Sequence, residues 1–432
     1  MKHLLAILLC CSAGLAGVKA SPTNAAPTLT LADAQQLALK NHPQIAAANY
    51  RALAAKEAVT EARAGFFPTV NLYGTAAAGN EEGTRIMAGG LNNPSVYDRA
   101  AGGLQVNQLI TDFGHTANLT ASSKYQARAE NQNASATREQ VLLQVQANYF
   151  DALEAQSVLR VAQQTLDTRQ LLLDQVTALA TNKLKSELDV SFARVAVEEA
   201  RLLVQRAQNG ADAAMTSLSD AVGYSTPRTF RLVEQKRPLQ VQTNDVSQLV
   251  ESALSNRPEL LSLRDDQDAA RRLARAERDS RLPTVAAVGV AGDAPTHDSH
   301  LPDNYAAAGI QLSLPLFAGG RYVAREREAE FRAKADEEIL QAAENNVVRD
   351  VHLAWLNVNN AREQLRTTGQ LVRNASEAYD LAQARYKIGS SSIVELSQAQ
   401  LTLTSAQIAE TTARYNVFIQ DANLEYQVGA LR

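Results

Sequence analysis

Two long stretches of the chain place an apolar residue at every seventh position. Val145, Ala152, Leu159, Leu166, Leu173 and Ala180 form the first series, and Val351, Val358, Leu365, Val372, Tyr379 and Tyr386 the second. A seam sustained in this way predicts helices packed side by side with coiled-coil geometry. Helix breakers are absent from the same stretches. Neither Gly nor Pro occurs from His115 to Asn209, or from Arg321 to Thr368, and only Gly369 and Gly389 precede Gly429 in the second stretch. A helix from His115 to Ala180 would be about 100 Å long at 1.5 Å per residue, more than a globular domain usually needs.

Between these stretches the period changes from seven to two. In Val70-Asn71-Leu72-Tyr73-Gly74-Thr75-Ala76, the apolar and small residues take one side and Asn, Tyr and Thr the other. Leu104-Gln105-Val106-Asn107 and Ile310-Gln311-Leu312-Ser313-Leu314 alternate likewise. These runs predict strands, in hairpins at about 67–112 and 283–316. Loops rich in Gly, Asn and Asp are expected at 79–98 and 292–303. Small residues on the apolar side also suit a hairpin on a soluble core.

The two stretches are copies of each other. Asn41-His42-Pro43-Gln44-Ile45 recurs as Asn256-Arg257-Pro258-Glu259-Leu260, and Phe67-Pro68-Thr69-Val70 as Leu282-Pro283-Thr284-Val285, both at an offset of 215. From Ile110 onward the offset is 206, so nine residues are missing from the second copy, in the hairpin loop. The chain thus divides into a first repeat (21–223), a linking segment (224–245, with Pro227 and Pro238) and a second repeat (246–432). Each repeat opens with a predicted helix, Leu31 to about Gly65 and Val246 to about Ser280. Residues 1–20 read as a secretory signal peptide, with Lys2, an apolar core and Val18-Lys19-Ala20 at the cut.

Composition narrows the function. The only cysteines are Cys10 and Cys11, within the leader, so the exported chain would have no disulfide, thiolate metal site or cysteine nucleophile. A net charge of −4 offers no basic field for nucleic acid. No phosphate-cradling Gly-Lys motif or nucleophile elbow is present. His297 and His300 could ligate a metal, but a solvated loop explains them better. Trp355 shares a helix face with Val351 and Val358 and reads as core. No enzyme, metal site or cofactor is expected.

The duplication, the two Pro-Thr-Val turns, Leu314-Pro315-Leu316-Phe317-Ala318-Gly319-Gly320-Arg321 and Tyr386-Lys387-Ile388-Gly389 together resemble the TolC family of outer-membrane efflux proteins, over nearly the whole exported chain. The resemblance implies a mainly α fold with a small β part, in which the duplicated coiled-coil helices and four strands per chain build a trimeric α-barrel and β-barrel. Geometry agrees with an oligomer. Four strands cannot close a barrel, an eight-stranded interior is filled by side chains, and twelve leave a lumen. It also implies an outer-membrane lipid environment, a periplasmic adaptor (membrane fusion) protein, an inner-membrane transporter, and passive export in an efflux or type I secretion system. A periplasmic or surface coiled-coil scaffold or adhesin is the alternative.

The same resemblance implies roles for residues at the helix turns. Glu395 and Gln398 would face the lumen at the channel entrance. Asp189 and Tyr386 would help to close it, Asp189 by bonding to a neighbouring protomer. Lys183, Leu184, Gly389, Ser390 and Ser391 would be adaptor-contacting tips. This chain departs from the family pattern at Ser391, where the best-known lock has an arginine, at Gln398, where a second acid is replaced, and at Lys183, which stands in place of a glycine.

Overall fold

The computed structural model describes residues 27–77, 84–85, 95–96, 99–234, 245–296 and 302–431. The predicted leader, most of the 79–98 loop, the loop carrying His297 and His300, and residues 235–244 of the linking segment lie outside them.

The first half comprises β1 (Thr28–Leu29), α1 (Leu31–Asn41), α2 (Pro43–Ala64), β2 (Thr69–Ala77), the short pair β3 (Thr84–Arg85) and β4 (Ser95–Val96), β5 (Arg99–Thr111), α3 (His115–Thr181) and α4 (Glu187–Ala221). After β6 (Arg231–Leu232), the second half repeats the plan with α5 (Val246–Asn256), α6 (Pro258–Asp279), β7 (Thr284–Thr296), β8 (Asn304–Ser313), α7 (Arg321–Lys387) and α8 (Ile393–Gln427). Repeat-related helices have equal lengths: 11, 22, 67 and 35 residues in both halves.

The opening helix of each half, expected to be continuous, is two helices. The break falls at His42 and Arg257, whose ψ is 122° in both. Each precedes a proline, and the proline ring disfavours helical backbone in the residue before it. Pro43 and Pro258 then start the next helix, where a missing N–H costs nothing. The strands also run further than expected: β7 continues to Thr296, so the second loop is shorter than 292–303.

The four long strands form one antiparallel sheet in the order β2-β5-β7-β8, joining the two hairpins through β5 and β7. Its register places Val70 and Leu72 beside Val106 and Leu104, then Gly289 and Ala291, while Ile310 and Leu312 pair with Ala287 and Val285. One face is therefore apolar, and it is bare: Leu72 is 80% exposed, Ile310 74% and Leu312 66%. The other face carries Thr69, Asn71, Tyr73, Gln105, Asn107, Tyr305 and Gln311, with Val288 and Val290 among them. On that face Tyr305 lies across Gly103 and Gly292, where an added Cβ would meet its Oη at 2.4 and 2.5 Å.

Below the sheet, α3 packs against α4, α2, α6 and α8, and α7 against α8, α6 and α5. The largest apolar core surrounds Val141, Val145, Tyr149, Phe150 and Leu218, where α1, α3 and α4 meet β1 and β6. The Tyr149 hydroxyl accepts from the Val233 N–H (3.2 Å) and lies within donating distance of the Leu29 (3.0 Å) and Val233 (2.8 Å) carbonyls. This hydroxyl ties the parallel β1–β6 pair to α3. No helix among the described residues is long and apolar enough to cross a membrane.

Candidate functional site

The two helical hairpins end in turns built alike. At the end of α3, the Lys183 N–H donates to the Ala180 carbonyl and the Leu184 N–H to the Leu179 carbonyl, both at 2.9 Å. At the end of α7, Gly389 N–H reaches Tyr386 O (3.1 Å) and Ser390 N–H reaches Arg385 O (2.9 Å). This paired pattern satisfies the last carbonyls of a helix and requires a left-handed residue at its centre. Gly389 supplies it with φ of +78°, and Lys183 supplies it with φ of +60°.

Each return helix starts on a serine. Ser186 Oγ accepts from the Asp189 N–H (3.2 Å), and Asp189 Oδ2 accepts from both the N–H (3.1 Å) and the hydroxyl (2.9 Å) of Ser186. Ser392 Oγ accepts from the Glu395 N–H at 3.2 Å. There the symmetry ends. The Glu395 carboxylate lies 3.6 Å from Arg385 Nη1, with both side chains about half exposed. An ion pair so open to water contributes little to stability.

Above the turns, Val176, Val190, Ala382, Tyr386, Ile393 and Leu396 form an apolar cluster drawn from all four long helices. Tyr386 is 6% exposed, and its hydroxyl oxygen is buried with no hydrogen-bond partner among the described residues. Burial, with a smaller push from the Asp189 carboxylate, raises its phenol above the ordinary tyrosine value. The Lys185 ammonium sits 4.1 Å from the centroid of the same ring.

The structure thus gathers Asp189, Tyr386 and the first turn at one end of the hairpins. Asp189 is engaged by Ser186 of its own chain. Glu395 and Gln398 lie one turn apart on α8, both exposed. Leu184 is 69% exposed, and Ser390 is bonded back to the Arg385 carbonyl through its hydroxyl (3.2 Å). Among the described residues the Ser391 hydroxyl reaches the Ser392 carbonyl, at 3.5 Å.

Two residues escaped the sequence reading. Lys185 is one, because its partner is 201 positions away. The other is Arg169, 6% exposed between α3 and α4, where Nη1 donates to the Ala196 carbonyl (2.7 Å) and to Glu199 (3.2 Å) and Nε has no partner among the described residues. Its position three after Leu166, on the packing seam, was the available signal.

The sequence model of the outer membrane efflux protein family matches residues 34–224 and 249–430. The chain is 28% identical to the outer membrane protein TolC of Escherichia coli, over 88% of this chain and 78% of that one. It is 24% identical to the proteases secretion protein PrtF of Dickeya chrysanthemi, over 94% and 89%. Among solved structures, the fold matches a membrane protein from Pseudomonas aeruginosa (TM-score 0.79, 22% identity, 92% of this chain and 93% of that one). It also matches the MtrE outer membrane channel of Neisseria gonorrhoeae in its open state (TM-score 0.76, 19% identity, 93% and 89%).

Proposed function

The chain belongs to the outer membrane efflux protein family, and from that premise we propose that three copies form the outer-membrane exit duct of a tripartite efflux or type I secretion system, entered through the helix tips. The observation that carries this reading is the sheet. It presents one bare apolar face and one largely polar face, and among the described residues its outer strands β2 and β8 have one unpaired edge each. Unpaired edges cannot face lipid, so such a sheet spans a membrane only by closing with copies of itself. Three copies give twelve strands, with the apolar face to lipid and the polar face to a lumen.

The strands β5 and β8 lead through short connections that end in left-handed glycines, Gly114 and Gly320, into the 67-residue helices. At about 100 Å these carry the conduit far from the sheet. The duct has no energy source of its own, so an inner-membrane transporter drives it through a periplasmic adaptor. Lys183, Leu184, Gly389, Ser390 and Ser391 form the surface that meets the adaptor. Glu395 and Gln398 face the lumen, and Asp189 and Tyr386 govern closure. Membership of a family described by efflux, and kinship with a protein named for protease secretion, support export of either small molecules or polypeptides.

Extraction from membranes followed by planar-bilayer recording tests the proposal. A heat-modifiable trimer that conducts ions is the expected result; a water-soluble monomer without conductance overturns it.

A further inference from the structure

At the offset of 206 that relates the halves, Lys185 is the counterpart of Ser391, and Tyr386 is the counterpart of Ala180. One tip therefore carries a cation and the other an aromatic ring, and in the folded chain the two meet at 4.1 Å. Lys185 has no carboxylate within ion-pairing distance among the described residues, and its ammonium faces the neutral Tyr386 ring. Its backbone is fixed on both sides, by the closing bonds of Lys183 and Leu184 and by the Ser186 cap. Tyr386 is equally fixed, packed among Val176, Val190, Ile393 and Leu396. The ring is the part of Tyr386 in use within the chain, since its hydroxyl has no partner among the described residues.

We propose that Lys185 and the ring of Tyr386 form a clamp within each protomer that holds the tips of its two hairpins together and opposes opening of the entrance. Widening the entrance moves one hairpin past the other, which carries the ammonium off the ring face. The inference rests on the gated entrance proposed above. It assigns the holding force to the aromatic face and to a residue of the first turn.

The full-length trimer in planar bilayers tests it, read as the fraction of time spent conducting. Lys185→Met keeps the stem and removes the charge. It is expected to raise the conducting fraction by about two- to fivefold per protomer, the size of a half-exposed cation–π contact. Lys185→Arg restores the closed behaviour, because guanidinium also stacks on aromatic faces. Tyr386→Leu, which removes the ring, opens the entrance as far as Lys185→Met, and the double variant goes no further. Tyr386→Phe, which removes only the hydroxyl, opens it less. Heat-modifiable trimer on gels checks assembly of each variant.

Wild-type behaviour of Lys185→Met, or equal opening by Tyr386→Phe and Tyr386→Leu, overturns the clamp while leaving a gated entrance intact. If Asp189→Ala and Tyr386→Leu are also silent, the gate at the tips falls with it.

Discussion

Lys183 and Gly389 stand at equivalent points of the two halves, and both turn the backbone through the left-handed region, with φ of +60° and +78°. An L-residue there carries a steric cost of about 1–2 kcal/mol that glycine escapes. Glycine loses about 0.5–1 kcal/mol more than alanine in backbone entropy on folding. Lys183→Gly should therefore stabilise the first turn by up to about 1 kcal/mol, and Gly389→Ala should destabilise the second by a similar amount. Amide exchange across residues 179–190 checks the first: slower exchange in the variant is expected, and faster exchange contradicts the strain.

Asp189 and Glu395 are repeat mates with different commitments, and their alanine variants should separate. Removing the Asp189 carboxylate strips two bonds from Ser186 and costs about 1 kcal/mol at the start of α4. Basal conductance rises with it. Glu395→Ala leaves the Ser392 cap intact, because that cap uses the Glu395 backbone N–H. Its effect should appear as reduced cation preference in single-channel recordings, since threefold symmetry would place three carboxylates round one axis. Unchanged selectivity would remove Glu395 from the lumen.

Neighbouring positions on β8 should tolerate charge very differently. Ile310 belongs to the apolar face and Gln311 to the polar one. An arginine facing lipid near the midplane costs about 2–4 kcal/mol. Ile310→Arg is expected to lower the yield of heat-modifiable trimer, and Gln311→Arg to assemble normally and shift ion selectivity. Equal yields would mean the apolar face is not against lipid.

His42 makes the joint between α1 and α2 sensitive to acid. Burial pushes its imidazole below the usual histidine range, and the Asp220 carboxylate opposes this only in part. Its Nδ1 accepts the Gln44 N–H at 3.3 Å, which a protonated ring cannot do. The stability from neutral His42 is therefore full above about pH 6.5 and is lost as pH falls through the lowered value. Amide exchange at residues 44–46, corrected for its intrinsic pH dependence, should accelerate from pH 7.5 to pH 5. His42→Asn, which caps without titrating, should abolish the acceleration. The equivalent joint at Arg257, which has no side-chain cap bond, serves as the internal control.

The sequence by itself determined whatever depends on neighbours a few positions apart. Heptads and the scarcity of glycine and proline located the long helical stretches and the starts of α3 and α7, but not the turn after α3, which holds no breaker, while Gly210 and Gly369 lie inside α4 and α7. Alternation fixed which residues of β2 and β8 share a face, because side chains on a strand must point to opposite sides in turn. The start of α4 depends on equally near neighbours, because the structure caps it with Ser186 and Asp189, three positions apart.

What the tertiary structure decided are contacts between segments far apart in the chain. Pairing of β5 with β7 turns two hairpins into one sheet with two open edges, and no local pattern specifies that partner. The buried Arg169 and the meeting of Lys185 with Tyr386 depend on how the long helices rotate about one another. Along α3, the heptad positions Val145 and Ala152 are buried, but nearer the tip Ala162, Thr165, Arg169 and Val176 take their place. An ideal straight helix drifts by about 20° per heptad relative to a strict seven-residue repeat. The face turned to a partner therefore changes along 67 residues, and only the packed helices show which side chains end up between the tips.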